Sequence, residues 1–107
     1  MKFNTQVCTT REQSERLLAL GLKKETADCH HWYAEGKWYT YIGKPNEFNC
    51  VPAWSLHRLV SMCADNNFLS SNQISLYNFS TYDRAIDLAE YLISHNHFNK
   101  QYLNQNL

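Results

Sequence analysis

Three glycines and two prolines are all that the 107 residues contain. That scarcity excludes collagen-like and Gly/Pro-rich low-complexity chains, and three scattered glycines build no loop to cradle a phosphate. Charge of one sign is lacking as well. Ten Lys and Arg balance ten Asp and Glu, which removes the global electrostatic argument for nucleic acid or for an anionic membrane surface. No apolar run approaches the length of a membrane span, and the first residues, MKFNTQVCTTREQ, hold no apolar stretch of a secretion signal. Together these absences predict a soluble, cytoplasmic protein with no membrane partner. The triplet Asn78-Phe79-Ser80 matches a glycosylation sequon but carries no weight without secretion.

What is present suits one α+β domain. The hydrophobic share is 44% and aromatics reach 14%, enough for a core that needs neither metal nor disulfide. Cys8, Cys29, Cys50 and Cys63 are spaced by about twenty residues, which matches no short-spaced zinc motif; they read as reduced thiols in or near the core. The domain is expected over residues 1–94. The Asn/Gln-rich stretch 95–107 is expected to fray as a tail.

Along the chain, Thr10 and Gln13 form a capping box that opens a helix over 11–20, and Gly21 closes it with Leu22 placed to pack back on Leu17. Residues 23–28 suit one or two helical turns at most. CHHWYAEGKWYTYIG then reads as a hairpin: Cys29–Ala34 and Lys37–Ile42 as strands, joined at Glu35-Gly36, with Gly36 supplying positive φ in a type I turn with a glycine bulge. Alternation sets His31 and Tyr33 on one face, His30 and Trp32 on the other. ISLYNF at 74–79 alternates as a third strand. Ser80 to Asp83 caps a last helix whose stripe is Tyr82, Ala85, Ile86, Ala89, Leu92 and Ile93, with Asp83, Arg84, Asp87 and Glu90 opposite. The expected architecture is a small antiparallel three-stranded sheet packed against three amphipathic helices.

VPAWSLHRLV, residues 51–60, admits two helix starts. Pro52 at N1 is one. In the other, Ser55 is the N-cap, Trp54 and Leu59 form a hydrophobic staple, and the helix runs from Leu56 to about Ala64. The second is preferred because it gives every residue from Pro52 to Leu59 a role. It makes Trp54 a structural clamp whose indole N–H needs a partner, rather than a ligand residue acting with His57.

The set Thr10-x-x-Gln13, Leu17-Leu18-x-Leu20-Gly21-Leu22, Thr26-Ala27-Asp28 and Pro52-Ala53-Trp54-Ser55-Leu56 resembles small uncharacterised proteins of gut Bacteroides-type bacteria and their integrated phage or other mobile elements. The resemblance covers about the first two-thirds of the chain. It implies a cytoplasmic bacterial setting and an accessory role, and it brings no catalytic or binding residue with it.

Four chemistries compete for the remaining polar and aromatic residues. Cys29-His30-His31 contains metal-ligand types, but strand alternation sends the two histidines to opposite faces; the expectation is no metal and no cofactor. A Cys29 nucleophile beside a His lacks any strained-turn motif, so the chain reads as non-catalytic. Residues 11–29 have the rhythm of a helix-turn-helix, with Arg11, Arg16, Lys23 and Lys24 nearby, but Glu25 and Asp28 sit on the would-be recognition helix. His30, Trp32, Trp38, Tyr39 and Tyr41 form the leading candidate surface, a partner-binding platform on the hairpin. Thr10, Gly21, Gly36, Trp54 and Ser55 are assigned to structure. The reading is therefore a binding module whose partner is another protein or a second copy of itself, with a nucleic-acid accessory role through the first helix pair as the runner-up.

Overall fold

A computed structural model describes residues 6–44, 50–65 and 81–104. Among these the order is α1 (Arg11–Ala19), β1 (Cys29–Ala34), β2 (Lys37–Ile42), β3 (Cys50–Ala53), α2 (Leu56–Ala64) and α3 (Tyr82–Ser94), with single 3-10 turns at Lys24–Thr26 and Lys100–Tyr102. The sheet is antiparallel with order β2-β1-β3. This is the expected α+β fold, but its third strand is Cys50–Ala53, which runs directly into the helix that Ser55 caps. The strand expected at 74–79 lies outside the described residues.

A proline inside a strand argues against strand assignment, and the register shows why it is tolerated here. The hairpin closes with Ala34 opposite Lys37, and the Gly43 N–H donates to Asp28 O at 2.8 Å. Hydrogen-bonding direction alternates along a strand, so the even residues of β1 face β2 and the odd ones face β3. His31 and Cys29 therefore bond Val51 and Ala53, while Pro52, opposite His30, turns its nitrogen to the outer edge, where no ladder bond is lost. The turn itself differs from expectation. Glu35 and Gly36 both have positive φ, 52° and 79°, and make a two-residue loop. That is a type I′ turn, whose twist matches the strands without a bulge.

Both helix entries follow from side-chain chemistry. The Thr10 hydroxyl accepts from Gln13 N–H at 3.1 Å, and Gln13 Oε1 accepts from Thr10 N–H at 3.0 Å. At the far end Gly21 takes φ 104°, Gly21 N–H donates to Leu18 O and Leu22 N–H to Leu17 O, a complete Schellman closure with Leu17 and Leu22 both buried. Ser55 caps α2 by accepting from Arg58 N–H at 3.1 Å. Thr81 caps α3 by accepting from Arg84 N–H at 3.3 Å. Leu88 joins the expected stripe of α3 in the core.

The main core lies between the helices. Leu17, Leu22, Trp54, Leu59, Met62, Ile86 and Leu92 belong to one buried cluster. Phe98 joins it, and the chain beyond is pinned: Leu103 bridges Leu22, Lys23 N–H donates to Tyr102 O at 2.8 Å, and Asn104 N–H donates to Gly21 O at 2.7 Å. Residues 95–104 thus pack on the domain where a tail was expected, because Phe98 fills space in the core and the Gly21 turn leaves backbone groups to pair.

Trp54 is the clamp foreseen from its position. It has no exposed surface, and its indole N–H donates to Thr26 Oγ1 at 2.9 Å. Its backbone is tied in both directions to Thr9: Thr9 N–H to Trp54 O at 2.8 Å and Trp54 N–H to Thr9 Oγ1 at 3.0 Å.

Candidate functional site

The faces of the hairpin divide the candidate surface. His30 lies opposite Tyr41 and Trp32 opposite Tyr39, so these four side chains share the face that carries Pro52. His30 stacks on Tyr41 with ring centres 5.3 Å apart and planes 21° apart; Trp32 and Tyr39 flank Tyr41 at 6.0 and 6.5 Å. The His30 Nδ1 atom is 3.1 Å from Gly43 O, and a carbonyl can only accept, so Nδ1 carries the proton and is held in place. Trp32, Tyr39 and Tyr41 each keep about two-fifths of their surface in water, at 42%, 41% and 41%. For three large rings in neighbouring positions this is a substantial exposed apolar area.

Trp38 does not belong to that group. It lies opposite Tyr33, on the face with His31 and Cys29, where it makes an edge contact to Tyr33 at 5.2 Å and takes the Arg11 guanidinium over its ring at 4.2 Å. It was expected on the same platform as the other hairpin aromatics, but the register separates it, since residues 38 and 39 must point to opposite sides of a strand.

The other face runs from exposed to buried. Cys29, Cys8 and Ala53 form a small buried cluster of their own, and His31 is buried beside them. His31 Nε2 is 2.6 Å from Thr9 O and 4.0 Å from Cys8 Sγ, and Nδ1 is 2.8 Å from Thr40 Oγ1. The short contact to a carbonyl, which can only accept, puts a proton on Nε2. An imidazole committed in this way cannot take the Cys8 proton. Burial, with the nearby Cys29 and Asp28 adding to it, pushes the Cys8 thiol up to about 12, and burial together with Asp28 raises Cys29. Both shifts run opposite to those of an activated thiolate. His30 and His31 point to opposite faces, as expected, and among the described residues no group of three or more His, Cys, Asp or Glu side chains is placed to hold a metal ion.

The would-be recognition helix is the single turn Lys24–Thr26, with Thr26 buried against Trp54 and its carbonyl accepting from Arg58 Nε at 2.9 Å. A three-residue turn, with Thr26 buried and Lys24 and Glu25 exposed, has no length to lie in a DNA groove.

Sequence reasoning missed Asp28 and Thr9. Asp28 accepts from Ser55 N–H and Ser55 Oγ, fixing the start of α2 to the start of β1. Thr9 is wholly buried, with its hydroxyl bonded to Ser14 at 2.8 Å. Nothing in the periodicity marks either one, because both act across long stretches of chain. Among the described residues no helix is long and apolar enough to cross a membrane.

Fold and faces together define a small α+β domain with exposed aromatic rings on its hairpin, Trp32, Tyr39 and Tyr41 on one side and Tyr33 and Trp38 on the other. No family model, curated protein or solved structure matches the chain.

Proposed function

We propose that this protein is a small non-catalytic interaction module, an accessory protein of a bacterium or its mobile element, working in the cytoplasm, whose contact surface is the hairpin face formed by His30, Trp32, Tyr39 and Tyr41. One observation carries the reading: three rings that could be buried are left about two-fifths exposed and are packed against each other in fixed orientations. Rigid amphipathic rings lose little entropy on binding and are the residues most enriched at protein contacts. The phenol and imidazole groups around them offer hydrogen bonds at the rim. The bacterial setting rests on the resemblance alone. The quoted pattern residues Thr10, Gln13, Leu17, Gly21, Trp54 and Ser55 serve caps and core, so they report the fold and leave the partner open.

Capture from lysates of a candidate host, reading protein and nucleic acid together, tests the reading with paired variants. Trp32→Ala/Tyr39→Ala is expected to lose a captured protein that Tyr33→Ala, on the opposite face, retains. Equal capture by both variants, or capture of nucleic acid alone, would sink it.

A further inference from the structure

Among the described residues the outer edge of β2 is open. Among the described residues β1 is the strand paired with β2, and no other lies along its free side. All six residues of β2 are exposed, and Ile42 keeps 81% of its surface in water. The hairpin register, with Lys37 and Gly43 bonded toward β1, leaves the N–H and C=O groups of Trp38, Thr40 and Ile42 facing outward. An edge is usually blunted by a charge, a proline or a bulge. The opposite edge of the sheet, β3, is short and carries Pro52. From Trp38 to Ile42 the β2 edge has no charge, no proline and no bulge.

We infer that this edge is the site of self-association, with β2 pairing antiparallel to β2 of a second copy about a two-fold axis centred on Thr40. Symmetry restricts the register, because a two-fold axis normal to the sheet must pass through a residue for opposing side chains to share a face. Centred on Thr40, every outward backbone group of Trp38, Thr40 and Ile42 finds a partner. Centred on Tyr39, Ile42 falls opposite the turn of the other copy and its backbone groups lose theirs. The Thr40 register also sets Ile42 against the partner's Trp38, and Tyr39 against the partner's Tyr41, aromatic and branched pairs of the kind that stabilise sheets. The result is a continuous six-stranded sheet with the two aromatic faces on the same side.

The test uses the wild-type chain first. Sedimentation across roughly 10 μM to 1 mM is expected to show the mass rising from 12.6 kDa toward twice that value. Over the same range, amide exchange read by NMR should slow at least about tenfold at Trp38, Thr40 and Ile42, while Lys37, Tyr39 and Tyr41, already bonded to β1, change little. Thr40→Lys places two like charges directly opposite each other and is expected to dissociate the dimer; an equimolar mixture with Thr40→Glu is expected to restore it as a mixed pair. Since both changes also remove the Thr40 bond to His31, Ile42→Pro serves as a second variant that blocks an outward N–H and leaves that bond in place. A monomer throughout the range overturns the assignment. So does a dimer without the alternating protection, or one that survives both Thr40→Lys and Ile42→Pro. The face residues stay exposed in a monomer, so failure here leaves the proposed contact surface standing, whereas a confirmed dimer that captures no protein through that face overturns only the latter.

Discussion

The helical body and the hairpin treat the same residue type in opposite ways. Trp54, in the body, is fully buried and hydrogen-bonded through its indole; Trp32, on the hairpin, stands 42% exposed on a sheet face. Both sit in extended segments, and what differs is the company. Trp54 enters a space bounded by α1, α2, α3 and the turn at Lys24–Thr26, whereas Trp32, on the central strand β1, meets on its sheet face the half-exposed rings of the hairpin itself. Burial is a cooperative property of several elements meeting, and a projecting hairpin has too few neighbours to supply it. The lesson is that an aromatic-rich stretch is not by itself a core, and that its exposed rings are where function is to be sought.

The sharpest way to break the contrast is to truncate each tryptophan. Trp54→Ala is expected to cost about 3–5 kcal/mol in a urea titration, since it opens a cavity and removes the indole bond to Thr26 Oγ1. Trp32→Ala should cost no more than about 1 kcal/mol, the loss of cross-strand contact. Similar losses for the two would erase the distinction between body and arm.

Alkaline pH should strike the body next. Cys63 is pushed up to about 12 by burial, Cys8 to about 12 mainly by burial, and burial raises Tyr82 as well. A folded-state value above the unfolded one means that the native state holds protons which the unfolded chain releases. The stabilisation these thiols confer is fully present below the unfolded thiol value of about 9 and fades as pH climbs from there toward 12. Melting temperature is expected to fall across that window, and Cys63→Ala should flatten the fall relative to its own value at pH 7. An unchanged slope in that variant would remove Cys63 as a source of it.

Smaller effects refine the picture. Gly21→Ala should cost about 1–2 kcal/mol: no atom crowds the added Cβ, so the penalty is the backbone strain of φ 104° alone. Thr10→Ala, losing half of a capping box, is expected at about 1 kcal/mol. Arg16→Ala should sit lowest, at about 0.5 kcal/mol or less, because its pairs with Asp87 and Glu90 are solvent-exposed; 1 M salt should erase most of that difference.

Much of the local structure was legible in the residues themselves. Thr10 with Gln13, Gly21 with Leu22, and Ser55 with Trp54 and Leu59 are short-range devices, each closed within a few positions, and the structure shows each one working as its spacing predicts. The hairpin strands match to the residue because Glu35-Gly36 fixes the turn and period-two alternation fixes the rest. Of the aromatic set expected together, His30, Trp32, Tyr39 and Tyr41 share one face of the hairpin and Trp38 lies on the other, as the same alternation requires.

What the sequence determined, then, is everything decided between neighbours along the chain: caps, stops, strand periods and the hairpin. What tertiary structure alone decided is everything that needs two distant segments to meet. Cys50–Ala53 becomes a strand because β1 has odd-numbered groups left to pair, and Pro52 survives there because its ring faces the outer edge. Phe98 anchors the end of the described chain because three helices leave it a pocket. Thr9, Asp28 and His31 acquire their roles from partners more than twenty positions away. Local propensity is set by short-range sterics and hydrogen bonds, whereas pairing of remote polar groups depends on where the core brings them, and no window of sequence contains that information.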